Sequence, residues 1–578
     1  MRFLVKSAVI GLTALAASIV SGAAPASAAD FERVLNERDA ELYTEIFDLQ
    51  ERGAWAKADA KINQLSDRVL VGYVLHQRYM HPTAYRSKFS ELKKWMAYYA
   101  DHPNAGEIYR LALRRRPKGA SSPVRPARRQ WRSAENDTLH PALEADYKRV
   151  NRPRVRKIEG RVRYLSRKER ATQALNELAA HRKRGVITER QYDRMRSWAA
   201  ASLYYQGYVA AAKRVANDAA KKNGETAVLA HWISGLIAFR ENDAVSAHKH
   251  FAAMARVPHQ DDDLRSAAAF WAARTALAAQ EPAAVAPHLE LAATYPFTFY
   301  GQLGLAQLGR EFHYDWSTPS VSDGQVSALL KDYPGVRRAI ALSQAGRIED
   351  AELEMRWANG AIEDVEAEAL MVVASGLNLP ASQMEIAMAG DQEKFASGLF
   401  PVPDYSPKGG FKTDRAIIYA VMRQESKFRQ SAKSRVGARG LMQIMPRTAS
   451  YVAKDRSLQW RSGRDRLFDP ALNLEIGQRY VNQLISNDAK GNLFKMAVAY
   501  NGGPGNMRRW DRKMGIDDPL LFVESIPNPE SRDYVEKVLT NIWVYRARLG
   551  QPAPTRDKVA AGALPVFEAV DQLTADAR

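Results

Sequence analysis

From Phe31 to about Phe395 the chain offers one helical pattern after another: alanine, leucine and charged residues dominate, and sustained strand-like alternation is missing. Such a stretch has to bury its apolar faces helix against helix. Trp198, Trp232 and Trp271 recur at intervals of 34 and 39 residues, and the run Trp232-Ile233-Ser234-Gly235-Leu236-Ile237-Ala238 has the large-to-small packing pattern of a helix-hairpin repeat. Arg338 to Trp357 reads as another hairpin, with Gly346 between its two helical patterns. A single hairpin cannot cover its own apolar face, so neighbours stack into a curved superhelix. The expected fold is therefore mainly α, with residues 29–395 forming a TPR-like superhelix, an open arc or a closed ring, and the tryptophans packed in its core.

Two stretches interrupt or end this pattern. Between Arg114 and Arg156, Pro117, Pro123, Pro126, Pro141 and Pro153 stand among arginines and forbid one continuous helix. Residues 114–156 are read as an exposed basic insertion with Trp131 and Tyr147 as local anchors, either a solvated charge run or a glycan-binding segment. Prolines from Pro401 to Lys408 mark a boundary, so that residues 396–550 form a second domain, and residues 551–578 read as a tail. At the start, Arg2 and Lys6 precede an apolar run from Ala8 to Val20 and then Ala26-Ser27-Ala28, the pattern of a cleaved signal peptide over residues 1–28. No later stretch reaches the ~20 apolar residues of a transmembrane helix, so no integral membrane segment is expected once that leader is removed.

Charge narrows the partners. The net charge of +19 is concentrated: Arg114 to Arg170 holds 19 basic against 6 acidic residues, and Ala396 to Gly550 holds 26 against 15. Localised positive fields point to an anionic partner. Export argues against nucleic acid and for a carboxylate-bearing wall polymer. With no cysteine, disulfides, a thiolate metal site and a lipoprotein anchor are excluded. All eleven histidines lie at or before His313, so no metal or cofactor is expected at a C-terminal site; His248 and His250 read as surface histidines.

Chemistry in residues 396–550 must then rest on carboxylates, hydroxyls and amides. Thr413 or Asp414 can cap a helix whose apolar positions include Ile417, Ile418 and Val421, and Glu425 falls on that same face. A carboxyl on an apolar seam is desolvated and holds its proton to higher pH, as a general acid requires; a glutamate at a frayed helix end is the plainer alternative. Next come Gly437-Ala438-Arg439-Gly440-Leu441-Met442-Gln443-Ile444-Met445-Pro446, then Ala499-Tyr500-Asn501 running into Gly502-Gly503-Pro504-Gly505, then Phe522-Val523-Glu524-Ser525-Ile526-Pro527 followed by Tyr534-Val535. The glycines allow close backbone approach to a ligand, Met442 and Met445 can line an apolar wall, and Tyr500 can offer its ring to a sugar and its hydroxyl to Glu425.

These four blocks, in this order, resemble the lytic transglycosylases of the soluble periplasmic muramidase type, which cut the glycan strands of peptidoglycan. The resemblance is close across the C-terminal domain and only general in the helical region. It implies a lysozyme-like domain in a periplasmic enzyme, with Glu425 as acid and then base, and Ser434, Gln443, Met445, Tyr500, Asn501 and Glu524 along the glycan cleft. Ser434 and Met445 match the pocket for the muramyl substituent. Arg439, in place of a small residue, is expected to alter substrate contacts, and Glu475 occupies a variable place. The implied reaction breaks the bond between N-acetylmuramic acid and N-acetylglucosamine and leaves a 1,6-anhydromuramyl end. Two rivals stand beside it: a goose-type lysozyme-like hydrolase in which Asp465, Asp469, Glu475 or Glu524 activates water, and a non-catalytic envelope scaffold that binds peptidoglycan. The sequence names no protein partner.

Overall fold

The computed structural model describes residues 33–130, 140–258, 260–461 and 463–571; the expected leader at 1–28 and Trp131 lie outside the described residues. The fold is α-helical: among the described residues the only β-type pairings are isolated bridges. No helix of the described residues is long and apolar enough to cross a membrane.

The repeat follows from caps and small residues. Thr188 accepts the Gln191 N–H and the Gln191 side chain accepts the Thr188 N–H, opening the Glu189–Gln206 helix with a reciprocal cap. Gly207, at φ 94°, closes it in the left-handed conformation that glycine tolerates best. The Val209–Asn223 helix then runs back, burying Ala212, Ala216 and Ala219. Trp232 and Trp271 are core residues packed edge to face, 6.4 Å apart. Trp198 is only partly buried and lies under the guanidinium of Arg163 at 4.4 Å. The Pro334–Gln344 and Ile348–Ala361 helices form the expected later hairpin, with Gly346 at φ 71° between them.

The array closes into a ring. Gln344 accepts the Leu35 N–H at 2.9 Å, Thr44 donates to the Ala345 carbonyl at 3.3 Å, and Tyr73 donates to Glu354 at 2.7 Å. Arg338 ties the seam further, binding Glu354 on its own hairpin and Asp101 at 2.8 Å across it.

The basic insertion differs from the expected exposed loop. Pro141 and Pro153 sit in the first turns of the Pro141–Arg149 and Arg152–Arg167 helices, where a missing N–H breaks no helical bond. Ahead of them, Ala127 donates to the Ala100 carbonyl, Arg129 pairs with Glu385, and the Gln130 carbonyl lies so close to Gly360 that a Cβ there would sit 2.0 Å from it. This part of the insertion is a strap across the ring seam. His248 and His250 also depart from expectation, because close packing of alanine-rich hairpins encloses them. His248 is buried against Ala272 and His288, and His250 meets His231 at 3.0 Å, both of that pair depressed to about 4 by burial.

In the C-terminal domain the Arg415–Ser426 helix packs on the long Pro529–Arg548 helix. Asp414 stands at the N-cap of the former but makes no cap bond. It is wholly buried, pairs with buried Arg546 at 2.8 Å, and accepts the N–H groups of Val570 and Asp571. The residues after Gln551 are accordingly not a free tail as far as Asp571. Phe567 and Leu493 exchange backbone bonds with Gly491 and Pro565, and the Pro554–Ala560 helix packs on the Phe299–Gln307 helix of the ring. Ring and domain share an apolar core, with Phe299 stacked on Trp543 at 5.2 Å. Polar contacts frame it: Tyr204 meets Ser525 at 2.9 Å, and Arg532 lies over Tyr205 at 4.0 Å.

Candidate active site

Glu425 occupies the last turn of the Arg415–Ser426 helix, one turn past Val421 on the buried face, and is partly covered. Tyr534 donates to its Oε1 at 2.8 Å. Desolvation dominates the carboxyl and raises its pKa to about 7; the Tyr534 bond opposes that rise and the charge of Glu530 adds to it. The carboxyl therefore carries a proton at near-neutral pH, as a general acid must. The turn after it is strained: Lys427 and Phe428 take φ values of 51° and 61°, rare for L residues in succession.

Tyr534 rather than Tyr500 bonds Glu425, correcting the expectation for the Tyr500 hydroxyl. Tyr500 donates instead to the Met442 carbonyl at 2.8 Å, while its ring stacks on Tyr534 at 6.2 Å and 9°. Both tyrosines descend on Glu425 from neighbouring helices, and only tertiary packing decides which reaches it. Tyr534 stands in the fourth sequence block, which was the available signal for it.

The glycine-containing loop faces this pair. Gly440, at φ 77°, leaves no room for a side chain, since a Cβ would lie 2.3 Å from both Asn473 Nδ2 and the Leu467 carbonyl. Asn473, which sequence reasoning passed over, braces the loop by accepting Met442 N–H and donating to the Arg439 and Leu467 carbonyls. Gln443 sits at φ 46° and spends its amide N–H groups on the Ala432 and Gly440 carbonyls. Ser434 accepts the Ala438 N–H, and Asn501 accepts from Ser531 at 2.6 Å. Met445 is exposed, whereas Met442 is buried against Gly477 and forms core instead of a cleft wall.

Two expected cleft contacts lie elsewhere. Arg439 is buried and braces the loop through Asp465 and the Gly437 carbonyl, so it is a structural cation. Glu524 is buried in the docking face, its carboxyl accepting from Tyr300 of the ring at 2.5 Å. The water-activating candidates are similarly committed: Asp465 to Arg439, Asp469 to capping the Pro470–Gln483 helix, and Glu475 to Arg479. Among the described residues no group of three or more histidines, cysteines or carboxylates is placed to hold a metal.

Residues 407–520 match the family described as Transglycosylase SLT domain. The chain is 40% identical over 142 residues to the soluble lytic murein transglycosylase of Escherichia coli K12 and 42% identical over 143 residues to that of Salmonella typhimurium. These alignments cover 24% and 25% of this chain and span 22% of each relative's length. Likeness of fold extends much further. The 70 kDa soluble lytic transglycosylase Slt70 from Escherichia coli matches with a TM-score of 0.56 over 89% of this chain and 97% of its own, at 18% identity. An inactive mutant of the lytic transglycosylase Slt from Pseudomonas aeruginosa matches with a TM-score of 0.52 over the same shares, at 19% identity. The chain thus has the all-helical superhelix fold with an SLT domain, and over a segment of 142–143 residues it is similar in sequence to soluble lytic murein transglycosylases.

Proposed function

We propose that this chain is a peptidoglycan lytic transglycosylase that cleaves the β-1,4 bond between N-acetylmuramic acid and N-acetylglucosamine without consuming water. One observation carries the reading: Glu425, held protonated at near-neutral pH by desolvation and oriented by Tyr534, stands in the SLT domain beside the braced loop. Glu425 donates its proton to the glycosidic oxygen as that bond to the anomeric carbon breaks. The carboxylate left behind takes the proton of the muramyl 6-hydroxyl, whose oxygen bonds to the anomeric carbon and closes the 1,6-anhydro ring. Acid/base catalysis by one group contributes about 10²- to 10⁴-fold. Two-carboxylate glycosidases need a partner acid at a set distance, and Asp465, Asp469, Glu475 and Glu524 are each bound elsewhere.

In this reading Ser434, Gln443, Met445, Tyr500 and Asn501 line the glycan cleft within a catalytic domain of residues 396–550, extended by the packed residues up to Asp571. Gln443 and Ser434 act by shaping the loop, Tyr500 by stacking Tyr534 into place. Glu524 belongs to domain docking. The expected leader places the enzyme in the periplasm, where its substrate lies. The deciding experiment digests purified sacculi and weighs the released ends: 1,6-anhydromuramyl ends are expected, and reducing muramic acid ends would transfer the site to the hydrolase reading.

A further inference from the structure

The seam that closes the ring also encloses a cavity of about 460 Å³. Its walls come from three places: Asp67 and Arg68 ahead of the Val71–Met80 helix, Tyr98 and His102 around the end of the Phe89–Tyr99 helix, and Arg337 and Arg338 in the first turns of the Pro334–Gln344 helix. The first two belong to one end of the array and the third to the other, so ring closure assembles the cavity. None of them lies in the SLT domain. The charges are matched: Arg337 pairs with Asp67 at 3.1 Å, and Arg338 pairs with Asp101 at 2.8 Å and with buried Glu354. Arg68 is exposed and makes no ion pair among the described residues. Tyr98 is 70% exposed, its ring 6.3 Å from that of Tyr99. His102 is only 2% exposed, and its Nδ1 is buried without a hydrogen-bond partner. Burial and the charge of Arg338 hold its pKa down at about 3, so the imidazole is uncharged at working pH.

These features select among guests. A small anion calls for cations in clear excess, whereas here most guanidinium charge is already met by carboxylates. A wholly apolar guest would cut those ion pairs off from water and leave the His102 imidazole unsatisfied. A pyranose ring meets both demands: its C–H face lies flat on an aromatic ring, and its hydroxyl and acetamido groups both donate and accept, as guanidinium, carboxylate and imidazole groups require. The volume is within the range of about 300–1,000 Å³ usual for small-molecule sites. We propose that this cavity holds an amino-sugar unit of a glycan strand, as a second sugar site remote from Glu425, with Tyr98 as the stacking platform. This inference rests on the reading of the chain as a peptidoglycan-cleaving enzyme. Because both ends of the array contribute walls, a bound strand clamps the seam and stabilises the closed ring.

The test titrates peptide-free glycan strands into the full chain carrying Glu425→Gln, which suppresses cleavage, and into the same chain with Tyr98→Ala, Tyr98→Phe or Arg68→Gln added. Tyr98→Ala should weaken one class of sites about tenfold and Arg68→Gln about fivefold, while Tyr98→Phe, which keeps the ring, should match the parent. Strands should raise the Tm of the parent, and Tyr98→Ala should lose most of that rise. Binding at this site should change little between low and high salt, because the guest brings no charge to be screened. In the active chain, Tyr98→Ala should raise KM on long strands with kcat unchanged and leave turnover of a tetrasaccharide as it was. Unchanged strand binding in Tyr98→Ala, a loss in Tyr98→Phe equal to that in Tyr98→Ala, or displacement of the strand by inorganic phosphate overturns the proposal. If the active chain forms no anhydromuramyl ends, the functional reading fails while the titration still decides the site.

Discussion

The cleft and the docking face each hold a glutamate whose surroundings raise its pKa by desolvation, and each glutamate accepts a hydrogen bond from a tyrosine: Glu425 from Tyr534, Glu524 from Tyr300. Their uses differ because their access differs. Glu425 keeps part of its side chain open at the end of a helix, with aromatic rings and the braced loop around it. Glu524 is shut beneath the ring, where Trp271 donates to the Tyr300 hydroxyl at 2.9 Å and Tyr300 donates onward to Glu524. A chain of three buried polar groups is a docking device, costly to break. A perturbed carboxyl is thus a catalytic candidate only where a substrate can reach it.

The contrast is broken most directly at the Glu425 carboxyl. Glu425→Gln keeps size and removes the transferable proton, so release of muropeptides from sacculi should fall by about 10²- to 10⁴-fold while sacculus binding persists. In the parent, kcat/KM should decline as pH rises through about 7, where Glu425 loses its proton. Full turnover by the variant would return Glu425 to the same structural class as Glu524. Next in size is Tyr534→Phe. Its bond lowers the Glu425 pKa, so its loss should move the alkaline limb of the pH profile upward and reduce kcat by about tenfold. An unmoved profile would show that the two groups are not coupled.

Glu524→Ala sharpens the contrast from the other side. It strands the buried Tyr300 hydroxyl and should cost about 1–3 kcal/mol in denaturant unfolding, with turnover of short glycans within about threefold of the parent. Loss of turnover with stability intact would move Glu524 back to the cleft. A further stability test uses Glu425 itself. Its folded pKa of about 7 exceeds the ordinary 4.5, so the native state binds more protons between those values and the parent loses stability as pH rises from 4.5 to 7. Glu425→Gln removes that loss and should gain about 2 kcal/mol on the parent above pH 7, a figure reduced for the part of the side chain that meets solvent. The smallest effect belongs to Glu530, exposed at the start of the Pro529–Arg548 helix. Glu530→Gln should lower the alkaline limb by a few tenths of a pH unit and spare kcat; abolished turnover would instead mark it as a second catalytic carboxylate.

Much of the site was legible because its constraints are local. Glu425 lies one turn from Val421 on a short helix, so helical periodicity placed it on the buried face. Gly440 had to be glycine for reasons of space that a glycine-rich block signals in advance. The misassigned residues share a different cause. Tyr500 and Tyr534, Glu524 and Arg439 are polar residues within the right blocks, but their partners, Met442, Glu425, Tyr300 and Asp465, are brought by other elements. Pro141 and Pro153 of the insertion, expected within an exposed loop, each stand in the first turn of a separate helix, a placement that depends on which residues precede that turn.

By itself the sequence determined the helical class, the stacking of hairpins and the burial of the acid proposed for the chemistry, since each follows from periodicity, caps and residue type within a few turns of chain. Tertiary structure alone decided that the array closes as a ring through Leu35, Gln344 and Arg338, and that residues 127–130 of the basic insertion strap the seam. It also decided that the residues up to Asp571 return to Asp414, and that one tyrosine instead of another holds the Glu425 carboxyl. The physical reason is the same in each case: these are single contacts between residues far apart in the chain, and no local pattern records them, because their free energy is settled by the packing of everything between.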